Sequence, residues 1–212
     1  MRVERCFNTD DFRTAARKRL PAPLFHFIDG GADDEVTLRG STSIFDQCQL
    51  VPTALSDVSS IDLSTTVFGK KIDWPVIMAP TGTNRLFHHE GERAVAKVAA
   101  ETGTFYSLST MSTVSIEDIG SLTDGPKCFQ VYIHRDRGMT REFVKRVREA
   151  KYDALCLTID TLVAGNRERD KHTGMVVPPK LTLASMVSFA LHWRWAYDLS
   201  LIHISEPTRP TT

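Results

Sequence analysis

Four apolar runs recur through the middle of the chain, each followed by a stretch of helical periodicity. This alternation limits the fold more than any other feature. The runs cover 75–79, 104–109, 127–133 and 153–160. Between them lie an alanine-rich helix predicted at about 91–102 and closed by Gly103, a short helix opened by the capping sequence Ser115-Ile-Glu-Asp118, and a helix with Phe143, Val144, Val147 and Ala150 on one face. Strands that are apolar almost throughout are buried on both faces, which is the condition of parallel strands crossed by helices.

Two architectures meet that description, an open doubly wound sheet and a TIM barrel. No G-x-G-x-x-G follows the first run, whereas polar groups recur at the C-terminal end of every strand: Thr81, Ser109 with Thr110, Gln130 with Tyr132, and Thr158 with Asp160. A barrel builds its site from that rim. The expected fold is therefore α/β, with about the first four βα units of a TIM (β/α)8 barrel at 74–164. Four more units would be needed after residue 160, and the βα rhythm stops there, so the sequence reads as the first half of a barrel.

Ahead of it, 1–73 is expected to be a helical and extended preamble. One helix carries Phe12, Ala15, Ala16 and Leu20 behind Thr9-Asp10-Asp11 and stops at Pro21. A second runs through Leu24, Phe25, Phe27 and Ile28 to Gly30-Gly31, and a third covers about 34–45. Extended runs are expected at 48–53 and 65–68. Residues 165–200 read as a long loop after the fourth strand. Residues 201–212 read as an aperiodic, proline-bearing tail unrelated to the rest, similar to translated read-through.

A chain that is 42% hydrophobic and 25% charged has enough apolar surface for a packed core. Lys and Arg total 26 against 26 Asp and Glu, so no net field draws a nucleic acid. Cys6, Cys48, Cys128 and Cys156 form no C-x-x-C pair and are expected to be buried reduced thiols in a cytoplasmic protein. No signal peptide and no run of about 18 apolar residues is present.

The strand-end residues invite a binding function. Gln130 and Tyr132 share one face of their strand, as Thr158 and Asp160 do on the next, so two polar pairs converge on one mouth as a shared ligand site. Ala79, Pro80, Thr81 and Gly82 offer backbone without bulky side chains, which suits a flat ring and equally suits an ordinary turn. In Gly165-Asn-Arg-Glu-Arg-Asp170, Arg167 or Arg169 has the planar fork of an anion clamp; a surface ion pair with Glu168 or Asp170 is the alternative.

Several stretches together resemble the FMN-dependent α-hydroxy-acid oxidising family, especially its bacterial flavin-type L-lactate dehydrogenases. They are Leu20-Pro-Ala-Pro-Leu-Phe-His-Phe-Ile-Asp-Gly-Gly-Ala32, Pro75-Val-Ile-Met-Ala-Pro-Thr-Gly82, Ser107-Leu-Ser-Thr110, Phe129-Gln-Val-Tyr132, and Leu157-Thr-Ile-Asp160 with Gly165-Asn-Arg167. The resemblance covers about residues 7–199. It implies FMN as cofactor, with 79–82 against the flavin ring and Ser109, Gln130 and Thr158 hydrogen-bonding it. It implies that Tyr132 faces the substrate hydroxyl, that Arg167 binds the substrate carboxylate and that Asp160 orients a catalytic histidine. The implied reaction turns a small L-2-hydroxy acid, foremost L-lactate, into the 2-oxo acid, with electrons leaving to oxygen, a quinone or a cytochrome. The implied parent is homo-oligomeric.

Phe27 stands where the family usually has a tyrosine that contacts substrate. The family's flavin-facing lysine, catalytic histidine with its adjacent arginine, and phosphate-binding strands fall beyond the matched region, so the 212-residue chain is expected to be inactive. His88, His89 and His172 read as solvated side chains rather than substitute bases. Leu183, Met186, Val187, Ala190 and Leu191 lie at helical spacing with Trp193 and Trp195 after them, so 181–197 fits either a peripheral contact with the inner face of a membrane or packing against protein. A noncatalytic flavin-binding module and another FMN barrel enzyme are the rival functions.

Overall fold

The structure, a computed structural model, describes residues 3–160, 163–176 and 178–205. The chain divides into two compact units, one of 57–162 and the other of the described residues on either side of it.

The flanking unit begins with α1 (Thr9–Arg19), α2 (Ala22–Asp29) and α3 (Val36–Ser43). Asn8 caps α1 by accepting from Asp11 N at 2.8 Å, and the Asp11 carboxylate accepts from Phe7 N at 2.9 Å. Asp10 and Asp11 in the first turn and Arg17, Lys18 and Arg19 in the last complement the helix dipole. Proline at 21 ends α1 and starts α2, which buries Pro23, Leu24 and Phe25. Residues 48–53, expected to be extended, form no strand. Leu50 and Val51 are 98% and 90% exposed, so neither a ladder nor a core holds them.

In the central unit, β1 (Thr65–Val67) and β2 (Lys70–Ile72) make an antiparallel hairpin. Its two turn residues, Phe68 and Gly69, both have positive φ, the twist a tight hairpin requires. Ile72 is fully buried with Phe105 and Cys128, which makes the hairpin part of this unit. The expected strand at 75–79 shrinks to a single bridge, where Met78 N donates to Phe105 O and Met78 O accepts from Ser107 N. Pro75 has no N–H to give, and Val76 N turns back to Trp74 O.

Beyond it come α4 (Glu92–Glu101), β3 (Tyr106–Ser109), α5 (Ile116–Leu122), β4 (Lys127–Val131), α6 (Arg137–Glu149) and β5 (Ala154–Leu157). The strands form a parallel sheet in the order β3-β4-β5, with Ser109 opposite Gln130 and Gln130 opposite Cys156. Tyr106, Leu108, Phe129 and Val131 face the helices and meet Ala96, Ala99, Ile119 and Val147. The intervening residues, Phe105, Ser107 and Ser109 on β3 and its approach and Cys128 and Gln130 on β4, point to the other face. Ser115 caps α5 as expected, accepting from Asp118 N at 3.0 Å. β5 departs from the expectation of strands buried on both faces, since Leu155 and Leu157 are exposed: it pairs with β4 along one edge, and the described residues leave much of it uncovered.

The flanking unit resumes with α7 (Glu168–Thr173), α8 (Leu183–Leu191) and α9 (Trp193–Ser205). The long loop expected at 165–200 is thus largely helical. The tail expected from 201 is corrected as far as 205, where α9 continues its hydrogen-bonded turns; 206–212 lie outside the described residues. No helix among the described residues is long and apolar enough to cross a membrane.

Candidate functional site

Of the strand-end residues named from the sequence, Ser109, Thr110, Gln130 and Thr158 meet. Ser109 Oγ donates to Gln130 Oε1 at 2.9 Å, Thr110 N donates to the same oxygen at 3.3 Å, and Gln130 Nε2 donates to Thr158 Oγ1. Thr110 Oγ1 donates to Gln130 O at 2.6 Å and accepts from Tyr132 N at 3.1 Å. Ser109 and Gln130 are buried and Thr158 half-buried. Three parallel strands therefore end in one chain of hydroxyls around a carboxamide that both donates and accepts. Such a chain can hold a planar heterocycle bearing alternating carbonyl and N–H groups. Tyr132 is half-buried beyond it, and Asp160 lies exposed after Thr158.

Beside this rim, Ala79 and Thr81 are exposed and Pro80 half-buried. Thr81 Oγ1 accepts from Asn84 Nδ2 at 3.0 Å. Gly82 has a reason the sequence hid. A Cβ there would lie 2.8 Å from Met111 Cβ, so glycine admits the loop after β3 rather than leaving an open face.

Phe27 and Arg167 belong to the flanking unit and meet there. The Arg167 guanidinium carbon sits 5.4 Å over the Phe27 ring, its Nε pairs with Asp170 Oδ2 at 2.5 Å, and a terminal nitrogen donates to Phe27 O. Arg169 pairs with Asp29 at 3.0 Å and Glu35 at 2.5 Å. Of the two candidate clamps, Arg169 is thus committed to two carboxylates. Among the described residues Arg167 has a single ion pair, with Asp170; the two arginine side chains are equally exposed, at 36%.

Hydrogen bonding from Arg13, with further help from Arg169, holds the Asp29 carboxyl below its ordinary value. A lowered carboxylate pKa stabilises the fold above the unfolded value and is lost as pH falls through the folded one. Asp29→Asn is expected to cost about 1 kcal/mol near pH ~7, the modest size reflecting the exposed Arg13 partner, and progressively less as pH falls below the ordinary carboxylate range. Urea unfolding over a pH series from ~7 downward checks this.

The other candidates are ordinary. His88 and His89 stack on each other at 4.6 Å; His88 is exposed and its Nδ1 accepts from Glu90 N, while His89 is half-buried. His172 is exposed on α7. The expectation of buried thiols holds for Cys128, which burial pushes up to about 11, but Cys48 and Cys156 are exposed. The sequence reading passed over Glu92, which is fully buried, and named Asp170 only as a surface ion-pair partner; the pair with Arg167 forms, but Asp170 is 5% exposed. Glu92 had one visible signal, an acid opening a helix, which ordinarily marks favourable dipole geometry.

The profile of the FMN-dependent dehydrogenases matches residues 16–209. The chain belongs to the FMN-dependent dehydrogenase family. FMN is this family's cofactor. Among its relatives, the L-lactate oxidase of Nostoc sp. is 40% identical over 187 residues, covering 86% of this chain and 51% of the relative. A protein of Mycobacterium tuberculosis named putative L-lactate dehydrogenase is 39% identical over 199 residues, covering 93% and 48%. A solved structure described as monotopic membrane protein (S)-mandelate dehydrogenase superposes with a TM-score of 0.86 at 34% identity, covering 93% of this chain and 52% of that one. The chain spans about half the length of the curated relatives it matches.

Proposed function

We propose that the intact parent of this chain oxidises a small L-2-hydroxy acid, foremost L-lactate, to the 2-oxo acid with FMN, on a TIM (β/α)8 barrel whose first four βα units are these residues. The observation that carries the reading is the hydrogen-bonded rim of Ser109, Gln130 and Thr158 at adjacent parallel strand ends. The exposed apolar face of β5 adds support, because Leu155 and Leu157 continue the face on which Phe129 and Val131 meet helices, and the crossover helix of a further βα unit would cover them. The names of the relatives favour lactate.

In this reading 79–82 lies against the flavin ring, and Ser109, Gln130 and Thr158 hydrogen-bond its polar edge. Tyr132 meets the substrate hydroxyl, and Arg167 binds the carboxylate through the guanidinium N–H groups that Asp170 and Phe27 O leave available. Asp160 orients a histidine supplied by the rest of the parent. Bound FMN supplies the two-electron acceptor; the protein supplies orientation and electrostatics. None of the seven histidines of this chain is assigned the role of base, so the 212 residues alone are inactive. Phe27 offers a ring where a tyrosine would offer a hydroxyl, which favours substrates that need one donor fewer at the carboxylate.

The test is to read the coding sequence past codon 200, express the continuous reading frame and measure hydroxy-acid-dependent dye reduction. The reading expects turnover with L-lactate by the parent and none by the 212-residue chain. A continuous frame without a strand-end lysine and a histidine closely followed by arginine would sink the enzyme assignment.

A peripheral membrane contact through 181–197 is part of the same proposal, with its own observation. α8 turns polar groups inward: Ser185 is buried and donates to Thr173 O at 2.7 Å, and Ser188 Oγ accepts from Ala22 N at 2.9 Å. Its apolar residues Leu183, Met186, Val187 and Leu191 are exposed. An inverted helix of this kind suits an apolar surround. Cosedimentation with anionic lipid vesicles is expected to fall by roughly tenfold in the double variant Met186→Glu, Leu191→Glu. Unchanged partitioning would point to packing against protein instead.

A further inference from the structure

The loops proposed to carry the flavin leave the sheet at different strand ends, and strand pairing alone does not set the distance between their tips. The run before 79–82 touches β3 at one bridge. What joins the loops is a carboxylate. Glu92, the first residue of α4, has 0% exposure. Its Oε1 accepts from Thr113 N at 2.9 Å and from Asn84 N at 3.4 Å, and its Oε2 accepts from Thr113 Oγ1 at 2.6 Å. Thr113 Oγ1 in turn accepts from Arg85 N at 3.2 Å. Asn84 and Arg85 follow directly on 79–82, and Thr113 follows on Ser109 and Thr110.

Two further contacts show that the loops are fitted to each other. Thr83 N donates to Met111 O at 2.9 Å, and Gly82 leaves just enough room for the Met111 side chain. A negative charge taken wholly out of water is costly, and an apolar residue could fill the same volume at the start of α4 at less expense. What an apolar residue cannot do is accept from backbone groups of two loops at once, in directions fixed by two oxygens.

We propose that Glu92 is a positioning residue for the flavin. Its carboxylate sets the separation between the 79–82 strip, which lies against the ring, and the Ser109 and Thr110 strand end, which hydrogen-bonds it. The inference rests on the flavin reading above. It assigns Glu92 no contact with cofactor or substrate.

The experiment titrates FMN into the full 212-residue chain and into its variants Glu92→Gln, Thr113→Ala and Thr113→Ser. Flavin fluorescence gives Kd and visible circular dichroism gives the environment of the bound ring, both read below each variant's unfolding transition. Glu92→Gln turns one acceptor into a donor facing donors, and Thr113→Ala deletes the bridging hydroxyl. Each is expected to raise Kd by ~10-fold and to change the dichroism of the bound flavin. Thr113→Ser keeps the hydroxyl and is expected to stay within ~2-fold of the wild type. If Glu92→Gln does not fold, Thr113→Ala carries the decision. A purely structural role would lower the melting temperature while leaving Kd and the dichroism unchanged, and that result overturns the inference. Wild-type binding with unaffected variants removes the inference alone, whereas no FMN binding by either the wild-type chain or the intact parent removes the flavin reading and the inference together.

Discussion

Replacing Gln130 with leucine is expected to lower stability by about 3 kcal/mol and to weaken FMN binding by ~100-fold. The carboxamide is the hub of the rim. Without it, the Ser109 hydroxyl and Thr110 N lose their shared acceptor and the Thr158 hydroxyl loses its donor. Leucine has nearly the right volume, so no large cavity offsets or adds to the effect. The cost comes from polar groups left buried without partners. Gln130→Glu separates stability from cofactor binding. It keeps the acceptor for Ser109 and Thr110, and the Thr158 hydroxyl can rotate to donate, so most of the stability is expected to remain. The charge and the lost N–H are both expected to oppose the flavin. Denaturant unfolding and flavin fluorescence measured side by side check both parts. Equal FMN affinity in the wild type and Gln130→Leu would remove the rim from the account.

Arg167→Met is expected to destabilise the flanking unit by about 2–3 kcal/mol, at or below the lower end for breaking a buried ion pair because the arginine is partly exposed. The loss is on the carboxylate side. Asp170 is 5% exposed, and its other oxygen, Oδ1, has no hydrogen-bond partner among the described residues. Removing the guanidinium therefore strands a buried charge, and also takes the cation from the face of Phe27 and the donor from its carbonyl. The double variant Arg167→Met, Asp170→Leu is expected to recover more than half of the lost stability, since it removes the stranded charge as well. In the intact parent the double variant would still bind hydroxy acid poorly. Recovery of stability without recovery of KM would distinguish the clamp from the ion pair. A double variant no more stable than the single one would contradict this explanation.

Much of the central unit was legible because parallel βα units leave a strong trace. In 127–133 a glutamine and a tyrosine stand two apart in an otherwise apolar run, and side chains two apart share a face, so the meeting of Gln130 with Ser109 and Thr158 was legible from periodicity. The Ser115 cap and the apolar face of α6 were legible for the same local reason. What escaped depends on partners far along the chain. Gly82 reads as a turn residue until Met111 is seen against it. Glu92 reads as a helix-start acid until Thr113 and Asn84 are seen donating to it. Asp170 was visible as an ion-pair partner, but its burial was hidden among the alternating charges of Gly165-Asn-Arg-Glu-Arg-Asp170. The start of α9 and the segment 201–205 form one helix, yet the change from indoles to aliphatic and polar residues hides a common period. β5 looked buried because its residues are apolar, but burial needs a covering layer, and sequence reports only the capacity for one.

The central claim is that the strand ends carrying Ser109, Gln130 and Thr158 form the flavin site. Its most direct measurement is the FMN titration of the 212-residue chain beside its Gln130→Leu variant, followed by quenching of flavin fluorescence. The account predicts saturable binding by the wild type and a loss of ~100-fold in the variant. Absence of binding by both the folded wild-type chain and the intact parent, or the same Kd for wild type and variant, would contradict it.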